Sequence, residues 1–196
     1  MPISGQRLFS SSSRLSTSLY SSTISRTMKN DIKFYRQDHR YGEFSNFYYS
    51  PIALDGLTWP TTEHYFQAQK FAHLPDRKYY EMIRTTDTPG NAAKMGRNRS
   101  WPLRPDWEAV KDDLMRDCVL QKFLQHPDLT KVLLETGDRH LIEHTSNDRY
   151  WGDGGDGKGK NMLGITLMAV RTKIAAMTPK EIAAEVKSRV DGLKQV

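Results

Sequence analysis

The chain has one cysteine, Cys118, among 196 residues. An intramolecular disulfide needs two and a cysteine-built metal centre more, so both are excluded, which fits a reducing compartment. No apolar run approaches the roughly 20 residues that span a bilayer, so no membrane partner is expected. Acidic residues are missing altogether from residues 1–28, which hold Arg7, Arg14, Arg26 and ten serines. Those three arginines carry half of the net charge of +6, leaving +3 to residues 29–196. A surplus of that size permits contact with phosphates or nucleic acid without demanding it.

The acid-free opening has the composition of an organelle transit peptide, mitochondrial by its Arg and Ser content. The plainer alternatives, in a cytoplasmic protein, are a disordered tail or an upstream extension with Met28 as a second start. Either way it lacks the apolar content to fold alone. The remainder, 29–196, has the length of a single domain. Four Trp, nine Tyr and seven Phe supply a core and some stacking surface.

Local patterns predict the elements. Ile32 to Arg36 reads as a short strand. Asp55-Gly56 is a hairpin turn between Tyr48–Leu54 and Leu57–Trp59. Pro60 and the Thr61-Thr62 pair open a helix to about His73. Short helices follow from Pro75-Asp76 and from Thr88-Pro89. From Pro105 to about Gln125, Val110, Leu114, Cys118 and Met115, Val119, Phe123 recur at helical spacing. His126-Pro127 breaks that helix, and the next runs from Asp128 to Glu135 and closes at Gly137. Leu141 to Thr145 reads as a further strand. After a glycine-dense loop, Asn161 caps an amphipathic helix to Met177, and Thr178-Pro179 with Glu181 forms a capping box. The fold class is therefore α+β, mostly helical with a small antiparallel sheet.

Chemistry concentrates in a few places. Glu63, Gln67 and Lys70 lie at i, i+4 and i+7 and share one helix face among aromatic neighbours. A carboxylate and an amine desolvated together acquire useful pKa values; the same spacing also describes an ordinary solvated ladder. Asp148 and Asp153 bracket Tyr150-Trp151-Gly152, where an indole can stack on a flat ring and the backbone can come close. A surface turn plugged by Trp is the alternative. Gly152 to Lys158 begins like a phosphate-binding loop, but Gly159 stands where Ser or Thr would reach Mg²⁺. Its backbone amides remain candidates to cradle a phosphate. Arg97 and Arg99 follow a helix end, suited to a phosphate or to the helix's own carbonyls. Trp107 and Cys118 read first as core. His140 and His144 lack a third ligand, so no zinc site is expected.

Taken together, these segments form a pattern. Tyr41-Gly-Glu-Phe-Ser-Asn-Phe47, Trp59-Pro-Thr-Thr-Glu-His-Tyr-Phe-Gln-Ala-Gln-Lys70, Met95-Gly-Arg-Asn-Arg99, Trp107-Glu-Ala-Val-Lys111, Glu143-His144 and Asn147-Asp-Arg-Tyr-Trp-Gly-Asp-Gly-Gly155 closely resemble the NADAR (YbiA-like) family, in order. The resemblance implies an N-glycosidase on a compact α+β fold. One described kind removes ADP-ribose from guanine in nucleic acid; the other cleaves ribosylaminopyrimidine phosphates of riboflavin synthesis. It implies Glu63 as acid/base, Lys70 as an amine able to form a Schiff base, and Asp148 and Asp153 as further carboxylates. Trp107 and Trp151 would hold a base, with Phe44, Asn46 and Arg97 along the ribose and phosphates, and Trp59 and Gly152 among the binding positions. Expected partners are an ADP-ribose-like ligand and ADP-ribosylated single-stranded DNA, acted on by a monomer with no metal or cofactor. A non-catalytic ADP-ribose reader is the rival of another class, disfavoured because it has no need of so many ionisable groups.

Overall fold

The computed structural model describes Met1 and residues 31–191. The proposed targeting segment, residues 1–28, lies outside them apart from Met1. The chain divides into two units, Met1–Asp31 and Ile32–Val196, and every element below belongs to the second. It has four short strands and seven α-helices among the described residues: β1 (Ile32–Phe34), β2 (Ile52–Leu54), β3 (Leu57–Trp59), α1 (Thr62–Gln69), α2 (Lys78–Arg84), α3 (Pro89–Gly96), α4 (Trp107–Gln125), α5 (Pro127–Glu135), β4 (Leu141–Glu143), α6 (Met162–Ala175) and α7 (Pro179–Val190).

The α+β expectation holds, with one addition. β2 and β3 form the antiparallel hairpin around Asp55-Gly56, both residues at positive φ. The other pair is parallel: β1 lies on β4 with Ile32 opposite Leu141 and Phe34 opposite Glu143. Sequence patterns could not show this pairing, because more than a hundred residues separate the partners and each strand has three residues.

The caps fall where the residue types put them. Thr61 is extended and its hydroxyl accepts from His64 N, starting α1; Thr88 does the same for α3 through Asn91 N, and Thr178 with Glu181 closes a full capping box on α7. α1 stops at Gln69 rather than His73: the amides of Lys70, Phe71 and Ala72 bond to the carbonyls of Gln67, Ala68 and Gln69, three residues back, so the α-helical ladder gives way to tighter turns. Asn161 sits at the start of α6 in the left-handed region without capping it by its side chain. Its amide instead accepts from Glu143 N and donates to the Leu141 carbonyl, both at 2.9 Å, so it ties α6 to β4.

Every residue of α1 is buried. It lies against α2, α3 and α4, so its polar side chains are fixed in the interior rather than laid on the surface. On α4, Met115, Cys118, Val119 and Phe123 are fully buried, while Val110 and Leu114 pack against the core from its edge. These helices hold the ionisable groups below in place.

Candidate active site

The site grows from the N-terminal turn of α1. Asn46, on the segment after a 3-10 turn at Gly42–Phe44, is buried and placed by four bonds. Its carbonyl accepts from Glu63 N at 3.1 Å and from the Thr62 hydroxyl at 3.2 Å. Its side-chain oxygen also accepts from Thr62 Oγ1, and its amide nitrogen donates to Met115 Sδ. His64 secures the other side, with Nδ1 2.8 Å from Thr61 Oγ1 and Nε2 3.1 Å from the Thr86 carbonyl. Glu63 therefore points from a helix turn pinned on both flanks.

A pocket of about 170 Å³ opens there, with Asn46, Phe47, Glu63, Phe66, Gln67 and Arg97 along one side. Tyr35, Met115, Glu143, Thr145, Asn147, Asp148 and Trp151 complete it. That volume is below the 300–1,000 Å³ of typical small-molecule sites and suits a single sugar ring. Glu63 is only 7% exposed. Burial, reinforced by the charge of Asp148, pushes its carboxyl up to about 6; the Gln67 hydrogen bond, Lys70 and Arg97 oppose that rise. Asp148 is oriented by two backbone donors, Tyr150 N at 2.7 Å and Trp151 N at 2.8 Å, both to the same carboxylate oxygen.

Lys70 stands one layer behind the pocket. Gln67 lies between it and Glu63, donating to Glu63 Oε1 at 2.8 Å, while Lys70 Nζ donates to the Gly96 carbonyl at 2.9 Å and sits 5.3 Å from the Trp107 ring. Burial, with Arg97 nearby, pulls its pKa down to about 8 against the pull of Glu63. The close approach needs glycine at 96: a Cβ there would fall 1.9 Å from Gln67 Oε1.

Several expected contacts lie elsewhere. Trp59 is fully buried, its ring edge-on to Tyr65 and Tyr80 and its Nε1 bonded to the Leu54 carbonyl, so it is core. Phe44 is core as well, packed on Phe34, Tyr41 and Phe123. The 3-10 turn sends it inward, and Phe47, past the extended Ser45, reaches the pocket instead. Trp107 is buried behind Phe66, which also meets Trp151 edge-on; Trp151 alone of the indoles reaches the pocket. Asp153 is buried away from it, accepting from His144 Nδ1 and Gly155 N at 2.8 Å and from Thr145 N at 3.2 Å. Burial works against its charge, but these bonds hold its pKa below the usual carboxylate range. Gly152 is a close-approach glycine whose Cβ would meet Thr145 Cγ2 at 2.6 Å.

Most amides of the glycine-dense loop are already engaged. Gly154, Gly155, Lys158, Gly159 and Lys160 all donate within the loop or to its own carboxylates. Tyr35, Phe47, Phe66, Met115, Glu143, Thr145 and Asn147 line the pocket without having been assigned to the site from the sequence. Phe47, Phe66, Glu143 and Asn147 stand in the quoted motifs, whereas Tyr35, Met115 and Thr145 carry no such signal. Among the described residues no group of three His, Cys, Asp or Glu is arranged to hold a metal.

Residues 33–175 match the NADAR domain. The chain is 56% identical over 144 residues to "N-glycosidase YbiA" of Escherichia coli strain K12, covering 74% of this chain and 88% of that one. It is 38% identical over 174 residues to "Riboflavin biosynthesis protein VVA0006" of Vibrio vulnificus, covering 89% of this chain and 47% of that one. The NMR structure of E. coli YbiA superposes with a TM-score of 0.69 at 54% identity, over 74% of this chain and 85% of that one. A buried, pinned glutamate in a sugar-sized pocket and a match over most of the folded unit lead to one conclusion: this chain belongs to the NADAR family.

Proposed function

We propose that this NADAR-family N-glycosidase removes ADP-ribose from ADP-ribosylated guanine in single-stranded DNA or related nucleic acid. The observation that carries the reading is a sugar-sized pocket walled by the carboxyls of Glu63, Asp148 and Glu143, with Arg97 at its edge. Breaking a C1′–N bond builds positive character on the ribose, which facing carboxylates stabilise. Arg97, with Arg99 two residues on, supports a diphosphate, and Trp151 offers a ring face beside it.

Lys70 supplies the nucleophile in this reading. With a pKa of about 8, roughly a tenth of it is neutral at pH 7. Its amine leaves the Gly96 carbonyl, swings past Gln67 and attacks C1′, displacing the base and passing a proton to Glu63. The C1′–O4′ bond then opens, its electron pair and the nitrogen's proton going to O4′, and water hydrolyses the resulting imine to restore the lysine. Asp153 acts by holding the loop that carries Asp148 and Trp151.

A second reading, cleavage of a ribosylaminopyrimidine phosphate of riboflavin synthesis, is favoured by the name of the Vibrio relative. The test is to give the full chain both substrates side by side: an oligonucleotide with one ADP-ribosylated guanine, and the ribosylaminopyrimidine 5′-phosphate. A kcat/KM at least about 100-fold higher on the oligonucleotide is expected. The reverse order would transfer the assignment to the second reading.

A further inference from the structure

Two hollows meet at one wall. The sugar-sized pocket shares Tyr35, Phe47 and Glu143 with a larger hollow of about 460 Å³, lined also by Arg36, Gln37, Asp38 and Ser45. Glu143 is the one carboxyl among the three shared residues. It sits at the end of β4, where its N–H donates to Asn161 and its carbonyl accepts from Asp153 N at 2.9 Å. Its backbone is therefore fixed, while no donor among the described residues is bonded to its side-chain oxygens.

The groups facing it are mostly anionic. Glu63 approaches from α1, and Asp148 and Asp153 from the loop, the latter bonded to His144. Across the larger hollow, Arg36 is engaged by Asp38, and Arg97 acts on Glu63 and Lys70 from the end of α3. Burial and the three neighbouring carboxylates push the Glu143 carboxyl up to about 8. The two carboxyls thus stand apart, Glu63 ionised and Glu143 protonated at neutral pH, the arrangement that separates a base from an acid.

We propose that Glu143 is the general acid of the reaction, protonating the leaving base, which sits in the larger hollow beside Tyr35 and Phe47. This rests on the N-glycosidase reading and adds a catalytic residue to it. The C1′–N bond breaks with its electron pair going to nitrogen, and that nitrogen takes the Glu143 proton. C1′ gains its new bond to the Lys70 nitrogen, whose proton goes to Glu63; water later replaces that nitrogen, giving hydroxyl to C1′ and a proton back to the lysine, and Glu63 releases its proton to solvent. The net change is water consumed, with hydroxyl on the sugar and hydrogen on the base; Glu143 is reprotonated from solvent.

The test is the pH dependence of kcat/KM for the full chain and its Glu143→Gln and Glu143→Asp variants, on whichever of the two substrates above the wild type turns over. In wild type the rate falls above about pH 8 as Glu143 ionises. Glu143→Gln loses about 100-fold or more at pH 7 and its alkaline fall disappears, while Glu143→Asp keeps the fall at a reduced rate. A Glu143→Gln enzyme within threefold of wild type, or slowed with its alkaline fall intact, overturns the assignment and leaves the N-glycosidase reading standing. A wild type that cleaves neither substrate would sink that reading first, and the acid role with it.

Discussion

Gln67 Nε2 donates to Glu63 Oε1 at 2.8 Å across one turn of α1, and the same side chain lies against Gly96 and separates Glu63 from Lys70. The bond favours the ionised carboxylate and works against the burial that raises its pKa. Removing it in Gln67→Met should therefore raise the Glu63 pKa above about 6. An unchanged or lowered value, read by NMR titration of the Glu63 carboxyl in the variant against wild type, would show that Gln67 does not tune Glu63.

The lysine route leaves a trace. Sodium borohydride added during turnover should fix the sugar to Lys70, giving a mass increase on the peptide that carries it. Lys70→Ala should show no adduct and lose about 100-fold or more in turnover. Near-normal turnover by Lys70→Ala would replace the covalent step with direct attack by water.

Asp153 is placed here as the pin of the loop rather than a reacting group. Asp153→Ala leaves Thr145 N, Gly155 N and His144 without their acceptor, at a cost of about 3 kcal/mol in denaturant unfolding. Because the folded-state pKa of Asp153 is depressed, its contribution to stability is present above the unfolded value near 3.9 and is lost as pH falls through the folded one. The difference in stability between wild type and variant should accordingly shrink in acid. A difference that persisted unchanged to pH 2 would contradict this assignment.

Lys122 is buried, with Nζ donating to the Ser45 carbonyl at 2.9 Å, and burial pulls its pKa down to about 7. The unfolded chain keeps that proton to about 10.4, so between these values the unfolded state binds more protons and stability from this group rises with pH. Lys122→Met should remove more than about 1 kcal/mol of the rise between pH 7 and 9, measured as the difference from wild type. Parallel stability curves would mean that Lys122 is charged and paired in the fold.

Much of the fold was legible because its signals are local. Thr61, Thr88 and Thr178 announce their helices by side-chain capping, and Asp55-Gly56 can hardly be anything but a turn. The parallel β1–β4 pair was not legible, since its three-residue strands lie more than a hundred residues apart and neither carries a pairing signal. The same division runs through the site. For Glu63 and Asp148, helix spacing and loop chemistry left a surface reading open; the family resemblance named them, and both line the pocket. The resemblance places Phe44 along the ribose, but a 3-10 turn, invisible to spacing, turns its ring into the core. Trp59 and Asp153 were read as site residues on the strength of their motifs, yet packing uses both as structure. Glu143 went unused because its neighbours Glu63 and Asp148 come from other parts of the chain, and only the folded structure gathers them.

The central claim rests on Glu63, and one comparison tests it most directly. Wild type and Glu63→Gln are incubated with a single-stranded oligonucleotide bearing one ADP-ribosylated guanine, and free ADP-ribose is measured. Release by the wild type and a loss of at least about 1,000-fold in the folded variant is the predicted result. Equal release by both proteins, or none by a wild type that still binds ADP-ribose, would contradict the account.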